Sequence, residues 1–175
     1  MFLLFWGMKK CSALLIFIIL IRAGGVYAQA PACDLKKGTD DFSGKPKIST
    51  GFFALQDVQL SIDATGREID YFFVIRNPAA NCIGDQSEAM FLFEGGKQKI
   101  ELKNTGGDNC NGFFHIILKG GQFTPSAMQK LATKKVVSIT FTDRNEKKTI
   151  VSLTPQQQEL LLKMSDCVAK EAKTL

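Results

Sequence analysis

His115 is the first residue to consider for chemistry, because it is the only histidine of the 175 residues. General acid–base catalysis and most metal sites need a partner group beside the imidazole. In strand geometry, His115 shares a face with Phe113 and Ile117, neither of which can fill that role. The sequence therefore favours a structural histidine over a catalytic one.

Acidic residues are the next candidates, near the amino terminus and further along the chain. Asp34, Asp40 and Asp41 lack the regular ligand spacing of a calcium loop. Asp63-Ala64-Thr65-Gly66 is interpreted as a turn. No Gly-x-Ser-x-Gly elbow, phosphate loop or His-Glu-x-x-His is present. We therefore predict no catalytic residue, no cofactor-binding residue, no metal ligand and no cofactor.

Four cysteines follow the first 30 residues, and their number is even: Cys33, Cys82, Cys110 and Cys167. Without a CxxC motif, they favour two disulfides in an oxidising compartment over zinc or thiol chemistry. Residues 68–76, 89–94, 97–103 and 112–119 are predicted to be successive antiparallel strands of one meander. The loops that hold Cys82 and Cys110 then emerge at the same end of the sheet, about 10 Å apart. This predicts a Cys82–Cys110 disulfide, which leaves Cys33 with Cys167.

Phenylalanine is unusually frequent, with 14 in the chain. Each of three doublets places a ring on both faces of the sheet, because adjacent strand residues point to opposite sides: Phe52-Phe53, Phe72-Phe73 and Phe113-Phe114. One interpretation is a sheet covered on both faces. The other is a hydrophobic pocket formed by Phe72, Phe73, Phe113 and Phe114, which would bind a lipid-like ligand.

The elements that position these residues are short strands, followed by helices near the carboxyl end. Glycine-containing turns predict hairpins around 63–66 and at Gly95-Gly96, and a further hairpin around 143–146. Residues 112–118 are predicted to be buried on both faces. Thr124 with Pro125, and Thr154 with Gln157, predict two helix starts. The predicted fold is α+β: an antiparallel meander sheet, a short helix, a further hairpin and a carboxyl-terminal helix, stapled by disulfides.

The amino terminus has the pattern of a secretory signal peptide: Lys9-Lys10, an apolar run to Ile21, and Ala28-Gln29-Ala30. We expect residues 1–30 to be this signal, with translation starting at Met8. Residues 31–47 are expected to be an extended arm and residues 48–175 a single domain. Lipidation of Cys33 is the alternative that would bring the chain to a membrane. The predicted location is outside the cytoplasm, either periplasmic or secreted.

Charge argues against nucleic acid as a partner. The leader holds Lys9, Lys10 and Arg22 and no acid, so its removal lowers the net charge of +5 by three. The small remainder provides little attraction for phosphate backbones. Lysines and an arginine around the last predicted hairpin are interpreted as a solvated cluster: Lys134, Lys135, Arg144, Lys147 and Lys148.

Several short motifs resemble a broad group of small secreted proteins of Gram-negative bacteria that have no assigned function. They are Cys33, Asp41-Phe42-Ser43-Gly44-Lys45 with Ile48-Ser49-Thr50, Thr-Pro-x-x-x-Gln-Lys-Leu at residues 124–131, and the late Cys167. The resemblance implies an exported α+β domain with an amino-terminal cysteine arm. It implies no active site.

These observations favour a non-enzymatic binding or interaction module whose partner is an unknown protein. A carrier of a small apolar ligand is the second hypothesis, motivated by the phenylalanine doublets. An enzyme without a recognisable motif is the third.

Overall fold

Ten strands and two helices are present in the computed structural model, which describes residues 33–76, 82–119 and 125–175. The first five strands are β1 (Lys36–Thr39), β2 (Pro46–Ser49), β3 (Phe53–Leu55), β4 (Val58–Thr65) and β5 (Glu68–Ile75). The next five are β6 (Glu88–Phe93), β7 (Lys99–Lys103), β8 (Phe113–Lys119), β9 (Val136–Thr142) and β10 (Lys148–Ser152). The helices are α1 (Ser126–Thr133) and α2 (Pro155–Glu171), and a short 3-10 turn (Ala172–Thr174) follows α2.

The larger sheet has six antiparallel strands in the order β1-β2-β4-β5-β8, with β3 paired to β4. Its longest pairing is the β4–β5 hairpin, in which Thr65 lies opposite Glu68. Gly66 has a φ of 56° in the two-residue turn between them, which few residues other than glycine adopt readily. Strand β1 and the start of β2 lie within residues 31–47, the range predicted to be an extended arm, and they extend the sheet.

The smaller sheet has four antiparallel strands in the order β10-β9-β6-β7. Both of its predicted hairpins are present, β6–β7 around Gly95-Gly96 and β9–β10 around residues 143–147. Strand β6 pairs with β7 on one side and with β9 on the other. The order of strands along the chain is therefore not their order in the sheets.

One hydrophobic core receives side chains from both sheets. Phe73 of β5 is fully buried in this core, with ring centroids 6.2 Å from Phe91 of β6 and 5.2 Å from Phe141 of β9. Phe114 of β8 also packs on Phe141, at 5.3 Å. Such aromatic pairs add to the stabilisation from burial alone. The α+β fold class is confirmed, with two antiparallel sheets around a shared core.

The two helices complete this core. Helix α1 packs along α2, and α2 contacts β2, β4 and β9. The predicted capping box of α2 is present, since Thr154 Oγ1 accepts from the Gln157 amide and Gln157 Oε1 accepts from the Thr154 amide. Pro125 is the residue before α1, while Thr124, its predicted cap, lies outside the described residues.

The single meander is wrong in its strand order. Strand β5 pairs directly with β8, whereas β6 and β7, which lie between them in sequence, belong to the other sheet. Burial of residues 112–118 on both faces is also wrong, because Phe113 is 39% exposed and His115 is half-buried. The outer positions of β8 hold Phe113 and Ile117, two apolar residues that do not face the core, on either side of His115.

Two disulfides join the predicted pairs, Cys33 with Cys167 and Cys82 with Cys110. The first joins the segment before β1 to α2. The second joins the segment after β5 to the segment before β8, where Ile83 and Asn109 also form an isolated β-bridge. A sulfur in a disulfide cannot also carry a lipid thioether, so the Cys33–Cys167 bond and lipidation of Cys33 are alternative fates.

Candidate functional site

The outer face of the six-stranded sheet holds a group of aromatic and polar side chains that could act in recognition. Three phenylalanine rings cross it in edge-to-face contact, with Phe72 at 5.6 Å from Phe52 and 5.7 Å from Phe113 between centroids. Phe52 is 55% exposed and Phe113 is 39% exposed. We call the group formed by Phe52, Phe72 and Phe113 the aromatic face.

His115 lies at one border of the aromatic face. The register places it directly opposite Phe72, and the two rings stack with centroids 4.3 Å apart. His115 Nδ1 lies 2.9 Å from Asp70 Oδ2, a contact in which the imidazole donates to the carboxylate. The ring is thus fixed on its flat side by Phe72 and at its edge by Asp70. The structural role of His115 stays a prediction.

A second polar group lies beside Asp70 on the same face. Asp63 of β4 is directly opposite Asp70 of β5. Its Oδ1 accepts from Ser49 Oγ at 2.5 Å and from Ser61 Oγ at 2.7 Å, and its Oδ2 pairs with Lys47 Nζ at 2.9 Å. These contacts bring β2 and β4 together through their side chains as well as their backbones. We call Asp63 with Lys47, Ser49 and Ser61 the Asp63 group.

The contacts between Asp63 and Lys47 shift the pKa values of these two residues in opposite directions. Partial burial acts to raise the pKa of Asp63, but hydrogen bonds from Lys47, Ser49 and Ser61 outweigh it and hold the pKa below its ordinary value. The hydrogen bond to Asp63 raises the pKa of Lys47. Both shifts favour the charged forms, so the pair is ionised at neutral pH.

The arrangement does not assemble a nucleophile and a base. The hydroxyls of Ser49 and Ser61 donate to Asp63, whereas His115 contacts Asp70. Ser61 and His115 both lie opposite Phe72 on different neighbouring strands, which separates their backbones by two strand spacings, about 10 Å. Hydroxyl activation needs a hydrogen bond between the nucleophile and the base. On this face, therefore, neither Ser49 nor Ser61 is hydrogen-bonded to His115 as a nucleophile is to its base.

The four phenylalanines of the predicted pocket divide between two environments. Phe73 and Phe114 are fully buried in the core, with centroids 6.5 Å apart. Phe72 and Phe113 lie on the opposite side of the sheet, in the aromatic face. The alternation of the doublets follows the expectation for strands, while a lipid-like ligand stays a prediction.

Several polar residues of this face were missed by the sequence analysis. Asp63 was assigned to a turn, and Ser49, Ser61 and Asp70 were not singled out. A usable signal was present, because Ser61, Asp63 and Thr65 alternate with Leu60, Ile62 and Ala64 in the period of a strand. The Asp-Ala-Thr-Gly string suggested a turn and concealed this alternation.

The basic cluster predicted around the last hairpin is split between two ends of β9. Arg144, Lys147 and Lys148 lie at the β9–β10 turn, and Lys134 and Lys135 lie before the start of β9. The latter two line a groove of about 490 Å³ together with Lys97 and Leu162. We call this cavity the lysine groove.

Three further observations bear on the site. Among the described residues, no group of three or more His, Cys, Asp or Glu side chains is placed to hold a metal ion. None of the helices in the same ranges is long and apolar enough to cross a membrane. No family model, curated protein or solved structure matches the chain.

Proposed function

We propose that this chain is an exported binding module that contacts a partner protein through the aromatic face. The observation that carries the proposal is the contact chain from Phe52 through Phe72 to Phe113, in which both end rings are substantially exposed. Aromatic side chains dominate the binding energy at the centre of protein interfaces, where a polar rim surrounds them. His115, Asp70 and the Asp63 group supply such a rim.

Preorganisation supports the same conclusion. Phe72 is held between two rings and stacked on His115, which is itself fixed by Asp70. Binding through side chains that are already ordered costs less conformational entropy than binding through mobile ones. The face is an open sheet surface, which suits a protein better than a small molecule, since small ligands prefer concave sites.

Export is supported by the two disulfides and by the leader pattern, although the leader lies outside the described residues. Disulfides persist in oxidising compartments and are rare in the cytoplasm. Intact mass measurement of the protein from its own host tests this part of the proposal. We expect a chain that begins at Pro31 and contains two disulfides. A retained leader with four free thiols would contradict export.

Differential capture from the host envelope tests the binding surface. The double variant Phe52→Ala/Phe113→Ala removes two exposed rings of the aromatic face. The matched control Phe42→Ala/Ile150→Ala removes two side chains that are 100% and 68% exposed elsewhere. We expect a protein that is captured by the wild type and the control, and that binds the test variant at least about tenfold more weakly once purified. Equal binding by all three proteins, or no specific protein captured by the wild type, would contradict the proposal.

A further inference from the structure

The lysine groove is a concave site away from the aromatic face. It lies where the β6–β7 turn meets the carboxyl end of α1 and one side of α2. Its volume of about 490 Å³ is within the range of small-molecule sites, roughly 300 to 1,000 Å³. Its size therefore permits a ligand larger than a simple ion.

The charge of the groove is predominantly positive. Lys97, Lys134 and Lys135 line it, with Glu94 as the one acid of the lining. Lys134 donates to Gln98 Oε1, a neutral acceptor that leaves its charge uncompensated. Lys135 is paired with Glu159 at 2.5 Å. Lys97 and Lys134 therefore provide the positive potential available to an anionic group.

The rest of the lining gives the groove an apolar side. Leu162 of α2 is partly buried and supplies the apolar side chain of this lining, whereas Phe93 at the end of β6 borders the groove with its ring buried in the core. The carboxyl end of α1 carries a partial negative charge of about half a unit, which opposes an anion less strongly than two lysines attract it. The groove thus combines an apolar wall with two accessible ammonium groups.

We propose that the lysine groove binds a small organic carboxylate with an apolar body. The carboxylate contacts the ammonium groups of Lys97 and Lys134, and the apolar body lies against Leu162. This site does not depend on the proposed protein-binding role of the aromatic face.

Titration of the oxidised protein with octanoate, octylammonium and inorganic phosphate tests the ligand class. Octanoate carries both features, octylammonium has the same chain with the opposite charge, and phosphate has the charge alone. We expect octanoate to shift the amide NMR signals of the groove and to bind at least tenfold more tightly than either other probe. Octylammonium binding as tight as octanoate would overturn the electrostatic part of the proposal. Phosphate binding as tight as octanoate would overturn the apolar part, and no octanoate binding would overturn both.

Charge-matched variants test the location. Lys97→Gln/Lys134→Gln should weaken octanoate binding about tenfold, because both exposed ion pairs to the carboxylate are lost. Lys147→Gln/Lys148→Gln changes the net charge equally at the other end of β9 and should change the affinity less than twofold. If the first pair lowers the melting temperature, Lys97→Gln alone, in the exposed turn, should weaken binding about threefold. Equal effects of the groove and control variants would overturn the assignment.

Discussion

Asp63 shows how a single carboxylate contributes to the larger sheet. Its two oxygens accept from two hydroxyls and an ammonium group, and the donors come from β2 and β4. Hydrogen bonds to a charged group contribute more than those between neutral groups. The Asp63 group therefore fixes the outer face of the sheet beside the rim of the aromatic face.

Replacement of Asp63 by asparagine should make stability less dependent on acid pH. The folded-state pKa of Asp63 lies below its ordinary value of 3.8, so its contribution is present above that value and is lost as the pH falls through the folded-state pKa. We expect Asp63→Asn to lower the free energy of unfolding by about 1 to 2 kcal/mol at pH 7, after allowance for partial solvent screening. Urea unfolding from pH 7 to pH 2 measures this difference, which should shrink below about pH 4.

Asp41→Asn is the matched control, because Asp41 is an exposed aspartate in the β1–β2 turn. It should change stability by less than about 0.5 kcal/mol at pH 7. A loss for Asp63→Asn that stayed constant down to pH 2 would show that the substitution acts through packing rather than through the charge.

At the scale of elements, local patterns predicted the hairpins better than the assembly of the sheets. Gly66, Gly95-Gly96 and the Thr154 capping box each act over a few neighbouring residues, and all three indicated the correct element. The pairing of β5 with β8 joins segments far apart in sequence, and no local pattern specifies it. The Cys82–Cys110 pair was predicted from a meander, yet it forms because β5 and β8 are direct neighbours.

The apolar residues of β8 led to the wrong prediction that this strand is buried on both faces, for a related reason. Phe113 and Ile117 suggested burial on both faces, but they lie on the outer side of the sheet with His115. Apolar residues are common on protein surfaces, so the sequence pattern of a strand does not show which of its apolar residues face solvent. The aromatic face could therefore be recognised only after the strands were assembled.

Gly112 lies directly before β8 and packs closely against Ile75, the last residue of β5. Its φ is 74°, and a Cβ at this position would lie 2.4 Å from the carbonyl oxygen of Ile75. We expect Gly112→Ala to lower the free energy of unfolding by about 3 kcal/mol, because it combines a left-handed backbone with a backbone clash. Urea unfolding at neutral pH measures the loss.

Gly107→Ala is the control, because Gly107 lies with Gly112 in the segment that connects β7 to β8. A Cβ at Gly107 meets no atom within 4 Å, and its φ is not in the left-handed region. It should change the free energy of unfolding by less than about 1 kcal/mol. Similar losses for the two variants would show that loop flexibility, rather than the clash with Ile75, controls the junction between β5 and β8.

At the scale of the whole molecule, the chain alternates between the two sheets along its sequence. Strands β1 to β5 belong to the larger sheet, β6 and β7 to the smaller one, β8 to the larger one again, and β9 and β10 to the smaller one. The shared core around Phe73 forms only when both sheets are in place. Contacts of large sequence separation must close long loops, so cross-links at the loop ends should stabilise this topology.

The two disulfides should contribute unequally, because they close loops of different length. Cys33–Cys167 spans 134 residues and Cys82–Cys110 spans 28. The loop-entropy model assigns them about 5 and about 3.5 kcal/mol respectively. We expect Cys33→Ala/Cys167→Ala to lower the free energy of unfolding by about 1.5 kcal/mol more than Cys82→Ala/Cys110→Ala, as measured by urea unfolding with the remaining disulfide intact. Because Cys167 is buried, its replacement also removes packing contacts. The single Cys→Ala variants, measured under reducing conditions, give this packing contribution, which is subtracted from the loss measured for each double variant. A larger corrected loss for the short loop would show that the Cys82–Cys110 bond acts on the folded junction between β5 and β8 rather than on the entropy of the unfolded chain.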